Sequence, residues 1–256
     1  MLPASPVRSA GVIDLAALDP PPAGFPDCKV CPYWATGTPA ICFTCADARP
    51  VSVALRTCQV CGQELAADEP CPNTVCHFED RWFSRIYTVC ENPEEMWTAI
   101  WRFKYDEDKS WAELLGRILV GYLEERREEL EGYDLITTCA LYVGPEANRL
   151  WDHLRLILDV AHRDGPSWPF APDLISKGRP TGRFLGIGVE ERKAIAEGEL
   201  RDALAVPDPE RVAGKRVLVL DDVYSEGFSM REMAYALRQA GAAEVGGLVF
   251  ARRKGG

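Results

Sequence analysis

The segment from Val217 to Met230, VLVLDDVYSEGFSM, constrains the fold of this chain more than any other. Four apolar residues in succession, two of them β-branched, predict a strand buried on both faces. The strand ends in Asp221 and Asp222. A short loop with Ser225, Gly227 and Ser229 follows, and then a helix from Ser229 to Gln239. Ser229 and Glu232 have the S-x-x-E spacing of a capping box, and Gly241 is placed to end the helix.

A loop between a strand end and a helix start presents free backbone N–H groups and the positive end of the helix dipole, which makes an anion site. Gly227 lets the backbone come close to an anion, and the serine hydroxyls can donate to its oxygens. The carboxylates of Asp221 and Asp222 cannot hold an anion. They suit sugar hydroxyls or a bridging Mg²⁺. The segment matches neither G-x-G-x-x-G nor G-x-x-x-x-G-K-[ST], so these parts suit a 5-phosphorylated ribose rather than a dinucleotide.

The surrounding sequence alternates strands and helices. Trp111, Leu114, Leu115, Ile118, Leu119 and Leu123 form one helical stripe within a helix expected from Ser110 to Leu130, and Glu94 to Tyr105 has the same periodicity. Asp134 to Tyr142 reads as a buried strand, Glu146 to His162 and Glu190 to Leu204 as helices, and Glu244 to Ala251 as a second buried strand. The expected class is therefore α/β, a parallel sheet covered by helices.

Ahead of this unit lies a cysteine-rich module. Eight of the ten cysteines fall between Cys28 and Cys76. Cys28-x-x-Cys31 is followed by Cys42-x-x-Cys45, and Cys58-x-x-Cys61 by Cys71 and Cys76. A C-x-x-C knuckle turns two thiolates toward one point, and two knuckles supply the four soft ligands that tetrahedral zinc accepts. The expectation is a doubled zinc-ribbon-like module holding about two structural Zn²⁺ ions, with His77 as an alternative ligand in the second set. Four-thiolate sites leave no open coordination position, so these metals would supply folding energy rather than catalysis. Cys90 and Cys139 sit in apolar surroundings and read as core residues.

The division expected is a flexible leader over 1–27, a double zinc-ribbon module over 28–80 and a ligand-binding domain over 81–256. The net charge of −10 and pI near 4.9 argue against broad nucleic-acid binding. Up to Arg85, six Lys/Arg stand against nine Asp/Glu, so a protein partner suits the metal module at least as well as a nucleic acid. No run approaches the ~20 apolar residues of a membrane span. The first residues lack the basic start and cleavage pattern of a signal peptide, so a cytoplasmic protein is expected. A homodimer is left open.

The Val217 to Met230 segment resembles the signature of type I phosphoribosyltransferases, and the whole chain is similar to the ComF family of phosphoribosyltransferase-like proteins with an N-terminal cysteine region. Phe103-Lys104-Tyr105 followed by Leu114-Leu115-Gly116 resembles their LKY segment and its helix. Lys177 to Arg192, with Arg179, Thr181 and Arg192, is similar to their basic stretch. The resemblance implies a phosphoribosyltransferase-like fold that binds phosphoribosyl diphosphate with Mg²⁺. A candidate phosphoribosyl transfer to a base or amine follows from it. The alternative is a non-enzymatic adaptor or regulator in DNA uptake or processing.

Asp221, Asp222, Ser225, Glu226, Gly227, Phe228 and Ser229 would then line the ligand site, joined by Arg149 from the VGPEANR loop. Lys104, Lys177 and Arg179 are candidate pyrophosphate partners, and no catalytic residue is singled out. Two positions depart from the family pattern. Glu146 lies in a loop that is basic in the family, and Glu226 replaces a hydroxyl residue. A carboxylate ~4 Å from a phosphate costs about 4 kcal/mol per unit charge at an effective dielectric of 20, roughly a thousandfold in affinity. Glu226 must therefore point away, pair with a cation, or weaken the site.

Overall fold

A computed structural model describes residues 56–65, 69–89, 100–101, 103–105, 109, 111–147, 151–182, 184 and 186–253. The leader, the first cysteine quartet from Cys28 to Cys45, Cys90, and Arg149 lie outside the described residues.

The centre is a four-stranded sheet of β1 (Ile86–Thr88), β2 (Leu135–Thr138), β5 (Arg216–Tyr224) and β6 (Glu244–Arg252), in the order β1-β6-β5-β2 with every pairing parallel. Parallel strands covered on both faces need apolar side chains on both. Leu218, Leu220, Leu248 and Phe250 enter one core. Val217, Val219, Val245 and Val249 enter the other.

The first core lies under α1 (Trp111–Glu125) and α3 (His153–Asp164). The six-residue stripe read from the sequence is buried as expected. The two helices approach closely at Gly116, where an added Cβ would come within 2.5 Å of Val160 and 3.0 Å of the Ile157 carbonyl. The expected helix to Leu130 breaks at Arg126, and α2 (Arg127–Leu130) adds one more turn. The expected helix from Glu146 starts later, at His153, because Asp152 caps it by accepting from the Arg155 amide at 2.9 Å.

The second core lies under α6 (Phe228–Gln239). It also holds the antiparallel pair β3 (Ser176–Lys177) and β4 (Leu204–Ala205), and α4 (Val189–Ile195), which continues through a π turn (Ala196–Leu200) into α5 (Arg201–Ala203). Helix α6 ends as expected at Gly241. With φ +96°, its amide bonds Arg238 O and the next amide bonds Leu237 O.

The helix start corrects the sequence reading. No side chain caps α6: Gly227 is the N-cap, and Ser229 is already helical. Glu232 is fully buried and engages two guanidinium groups, Arg201 (2.6 Å) and Arg231 (3.0 Å), so it cannot reach back to the helix start.

Residues 56–65 and 69–80 pack on this second core and are stitched to the sheet. Ile86 donates its amide to Val60 O at 2.7 Å, and the Arg252 guanidinium donates to Cys61 O at 2.9 Å. Among the described residues, no helix is long and apolar enough to cross a membrane.

Candidate functional site

Strand β5 delivers Asp221 and Asp222 to its C-terminal end, the side of a parallel sheet where ligands bind at crossovers. The turn 225–227 then leads into α6. Gly227 adopts φ +94°, a left-handed conformation that side chains resist, and an added Cβ would lie 2.5 Å from the Tyr224 hydroxyl and 3.0 Å from Val75 Cβ. No described residue accepts a hydrogen bond from the amides of Gly227, Phe228 or Ser229. They form an N-terminal cradle at a twelve-residue helix. Ser225 and Ser229 flank the cradle and are half-buried.

The two acids differ in environment. Asp222 is buried, and its Oδ2 receives Lys104 Nζ at 2.5 Å and His153 Nε2 at 2.7 Å. The ring of His153, buried as the first residue of α3, is braced edge-on by Phe103 at 5.9 Å. Asp221 remains partly exposed, accepts the Asp222 amide at 2.8 Å, and is pushed up to about 7 by burial and by the neighbouring Asp222 charge. Such a carboxylate favours a bound proton or cation. Burial raises the adjacent Cys139 thiol well above its ordinary range, and Asp221 adds to this.

The Glu226 side chain turns away from the cradle toward the cysteine module. Its Oε2 accepts from the Thr74 hydroxyl at 2.7 Å and the Thr74 amide at 3.2 Å, while its carbonyl accepts from the Val75 amide at 3.1 Å. Oε1 lies 3.9 Å from Arg192 Nη1. Thr74 belongs to a single 3₁₀ turn, Thr74–His77, that carries Cys76.

The Sγ atoms of Cys58, Cys61, Cys71 and Cys76 all lie within 4.8 Å of one another, with Cys61 and Cys71 at 3.6 Å. Zinc–thiolate bonds of ~2.3 Å in a tetrahedron require sulfur separations of about 3.8 Å, so the quartet fits a metal ion. Asn73 donates to Cys61 Sγ at 3.3 Å, and the Tyr224 hydroxyl lies 3.5 Å from Cys76 Sγ. The crowded thiols cannot all ionise alone. Cys61 falls to about 5, chiefly through its hydrogen bond with Cys76, while burial raises Cys71 to about 12. A cation removes that conflict. His77, the alternative ligand, instead directs Nε2 to the Cys71 carbonyl at 2.6 Å.

The basic stretch is dispersed. Lys177 bonds Thr181 Oγ1 at 2.7 Å, and Arg179 lies on the surface 3.9 Å from Asp202. Arg192 stands beside Glu226, with its Nε buried and without a hydrogen-bond partner. Glu146 sits exposed at φ +65°.

Sequence reasoning passed over two residues of this site, His153 and Thr74. His153 falls within a predicted helix and has no local signature. Thr74 was hidden by the cysteines around it.

The phosphoribosyl transferase domain family model matches residues 168–256. That match and the parallel sheet flanked by helices make the fold phosphoribosyltransferase-like. No curated protein matches the chain. Among solved structures, an allosteric regulatory enzyme of purine biosynthesis is 23% identical, with a TM-score of 0.33, over 54% of this chain and 25% of that one. A glutamine phosphoribosylpyrophosphate amidotransferase from B. subtilis, complexed with ADP and GMP, is 24% identical with the same score and coverage. The chain thus spans a quarter of the length of these proteins.

Proposed function

We propose that the cradle after β5 binds a phosphorylated ribose, phosphoribosyl diphosphate in the first instance. The reading rests on one observation. The amides of Gly227, Phe228 and Ser229 have no acceptor among the described residues and lie at the start of a twelve-residue helix, directly after an acidic pair. The match of 168–256 to the phosphoribosyl transferase domain supports it.

In this reading the three amides and the hydroxyls of Ser225 and Ser229 bind the 5-phosphate. Asp221 accepts from a ribose hydroxyl. Asp222 supports it from beneath, its charge held by Lys104 and His153. Glu226 stays out of the anion's way through its bonds to Thr74. The hard oxygen of Asp221, raised to about 7, suits Mg²⁺, which would neutralise the pyrophosphate. Arg149 remains a candidate for the same anion. The four thiolates of Cys58, Cys61, Cys71 and Cys76 suit zinc in a structural role. The 28–80 segment is then a metal module, and 81–256 the ligand-binding domain.

Calorimetric titration with phosphoribosyl diphosphate tests this. Saturable, Mg²⁺-dependent heat is expected, and no heat at millimolar ligand removes the reading. A second reading, ligand binding without transfer, is favoured by the engagement of Asp222 Oδ2 with two basic side chains. Pyrophosphate release with candidate bases or amines separates the two readings: release supports a transferase, and binding without release supports a sensor.

A further inference from the structure

The cradle loop carries little of its own support. Its N-cap is a glycine at φ +94°, and no side chain caps the helix. Support comes from across the chain. We infer that Thr74 and Glu226 are positioning residues through which the loaded four-cysteine site sets the shape of the phosphate cradle, an inference that rests on the ribose-phosphate reading of that cradle.

Thr74 and Val75 lie between two of the four thiols, Cys71 and Cys76, so a metal ion bound by both would fix the path of the residues between them. From that turn the Thr74 hydroxyl and amide hold Glu226 Oε2 at 2.7 and 3.2 Å, and the Val75 amide holds the Glu226 carbonyl at 3.1 Å. A second link runs from Cys76 Sγ to the Tyr224 hydroxyl at 3.5 Å. Tyr224 and Val75 together fill the space where Gly227 lacks a side chain. The cradle amides begin at Gly227 itself. Both ends of the 225–227 turn are therefore fastened to metal-ligand segments.

This explains the acidic residue at position 226. A carboxylate reaches the Thr74 turn, whereas a serine or threonine hydroxyl would stop near its own backbone. The chain gives up one phosphate donor and gains a tether. The side chain is only 2% exposed, and the two Thr74 donors, with Arg192 at 3.9 Å, offset its charge. Linkage is reciprocal, so a ligand in the cradle must also act on the metal site.

The test uses the full chain with Co²⁺ in place of the native metal, because the thiolate-to-cobalt absorption band reports the geometry of the cysteine site. Phosphoribosyl diphosphate should shift that band in the wild type. Thr74→Val and Glu226→Ala should keep the band, lose the shift and bind the ligand about tenfold more weakly, the scale of a hydrogen bond to a charged group. Thr74→Ser and Glu226→Gln, which keep the bonding atoms, should restore both. Amide hydrogen exchange over 224–229 should rise about tenfold in Glu226→Ala and after metal removal. Unchanged exchange in both overturns the inference, as does a full band shift in Thr74→Val. If the wild type binds no ligand, the ribose-phosphate reading fails while the exchange experiment still decides the coupling: faster exchange keeps it and unchanged exchange removes it.

Discussion

Lys104 places its Nζ 2.5 Å from Oδ2 of Asp222, tying the helical turn ahead of α1 to the end of β5. Both side chains are about nine-tenths buried. Removing one partner of such a pair strands a buried charge, at a cost of about 3–5 kcal/mol, whereas removing both costs far less. His153 still holds Asp222 Oδ2 when the lysine is gone, so Lys104→Met should destabilise the protein by less than that, about 2 kcal/mol, and Lys104→Met with Asp222→Asn should recover at least half of it. Urea unfolding measures both. Equal midpoints for the single and double variants would show that the pair carries no coupling.

Asp221 gives the site a pH dependence with a definite sign. Its folded value near 7 lies above the ~3.9 of an unfolded aspartate. The folded state therefore holds the extra proton between those values, and stability falls as pH rises through that window. Asp221→Asn should stabilise the protein at pH 8. The gain should shrink as pH drops below about 7 and vanish near pH 4. Melting temperatures across that range read it out, and a gain independent of pH would show that Asp221 ionises normally.

Local chemistry was legible in the sequence where neighbours in the chain are neighbours in space. The β5 run, the Gly227 turn, the Gly241 stop and the α1 stripe are each set by residues close together in the chain, and each has its place in the fold. Two kinds of feature were not legible. The contact of Thr74 with Glu226 joins residues 152 apart, and that of His153 with Asp222 joins residues 69 apart, with no spacing rule to announce either. The S-x-x-E pattern misled for a related reason. Glu232 is drawn to Arg201 and Arg231, and Arg201 arrives from a helix 31 residues away. Strand β1 was passed over because three residues carry too little periodicity to register.

The Gly227 turn makes a sharper demand than its neighbours. At φ +94° any Cβ is strained, and here it would also meet Tyr224 and Val75. Gly227→Ala should cost about 2 kcal/mol from the left-handed conformation alone, and more from the displaced neighbours. The damage should extend to the cysteine site, because Tyr224 touches Cys76 and Val75 precedes it. Weaker metal retention under a chelator challenge is the expected signature. A variant with wild-type stability and retention would mean that the turn adopts another conformation.

The cysteine quartet predicts metal stoichiometry. Cys58, Cys61, Cys71 and Cys76 fit one ion, and the repeated spacing over Cys28, Cys31, Cys42 and Cys45 suits a second, so elemental analysis of the full chain should find about two zinc ions. Cys61→Ser removes a fully buried ligand of the quartet and should lower the count by one. It should also lower the melting temperature, because metal binding contributes directly to the folding free energy of a segment with so few apolar residues of its own. The three remaining thiols would then react with a thiol reagent after mild unfolding. Wild-type protein prepared without chelators and found metal-free would remove the metal assignment altogether. A Cys61→Ser protein that still holds two ions would move the ion away from this quartet.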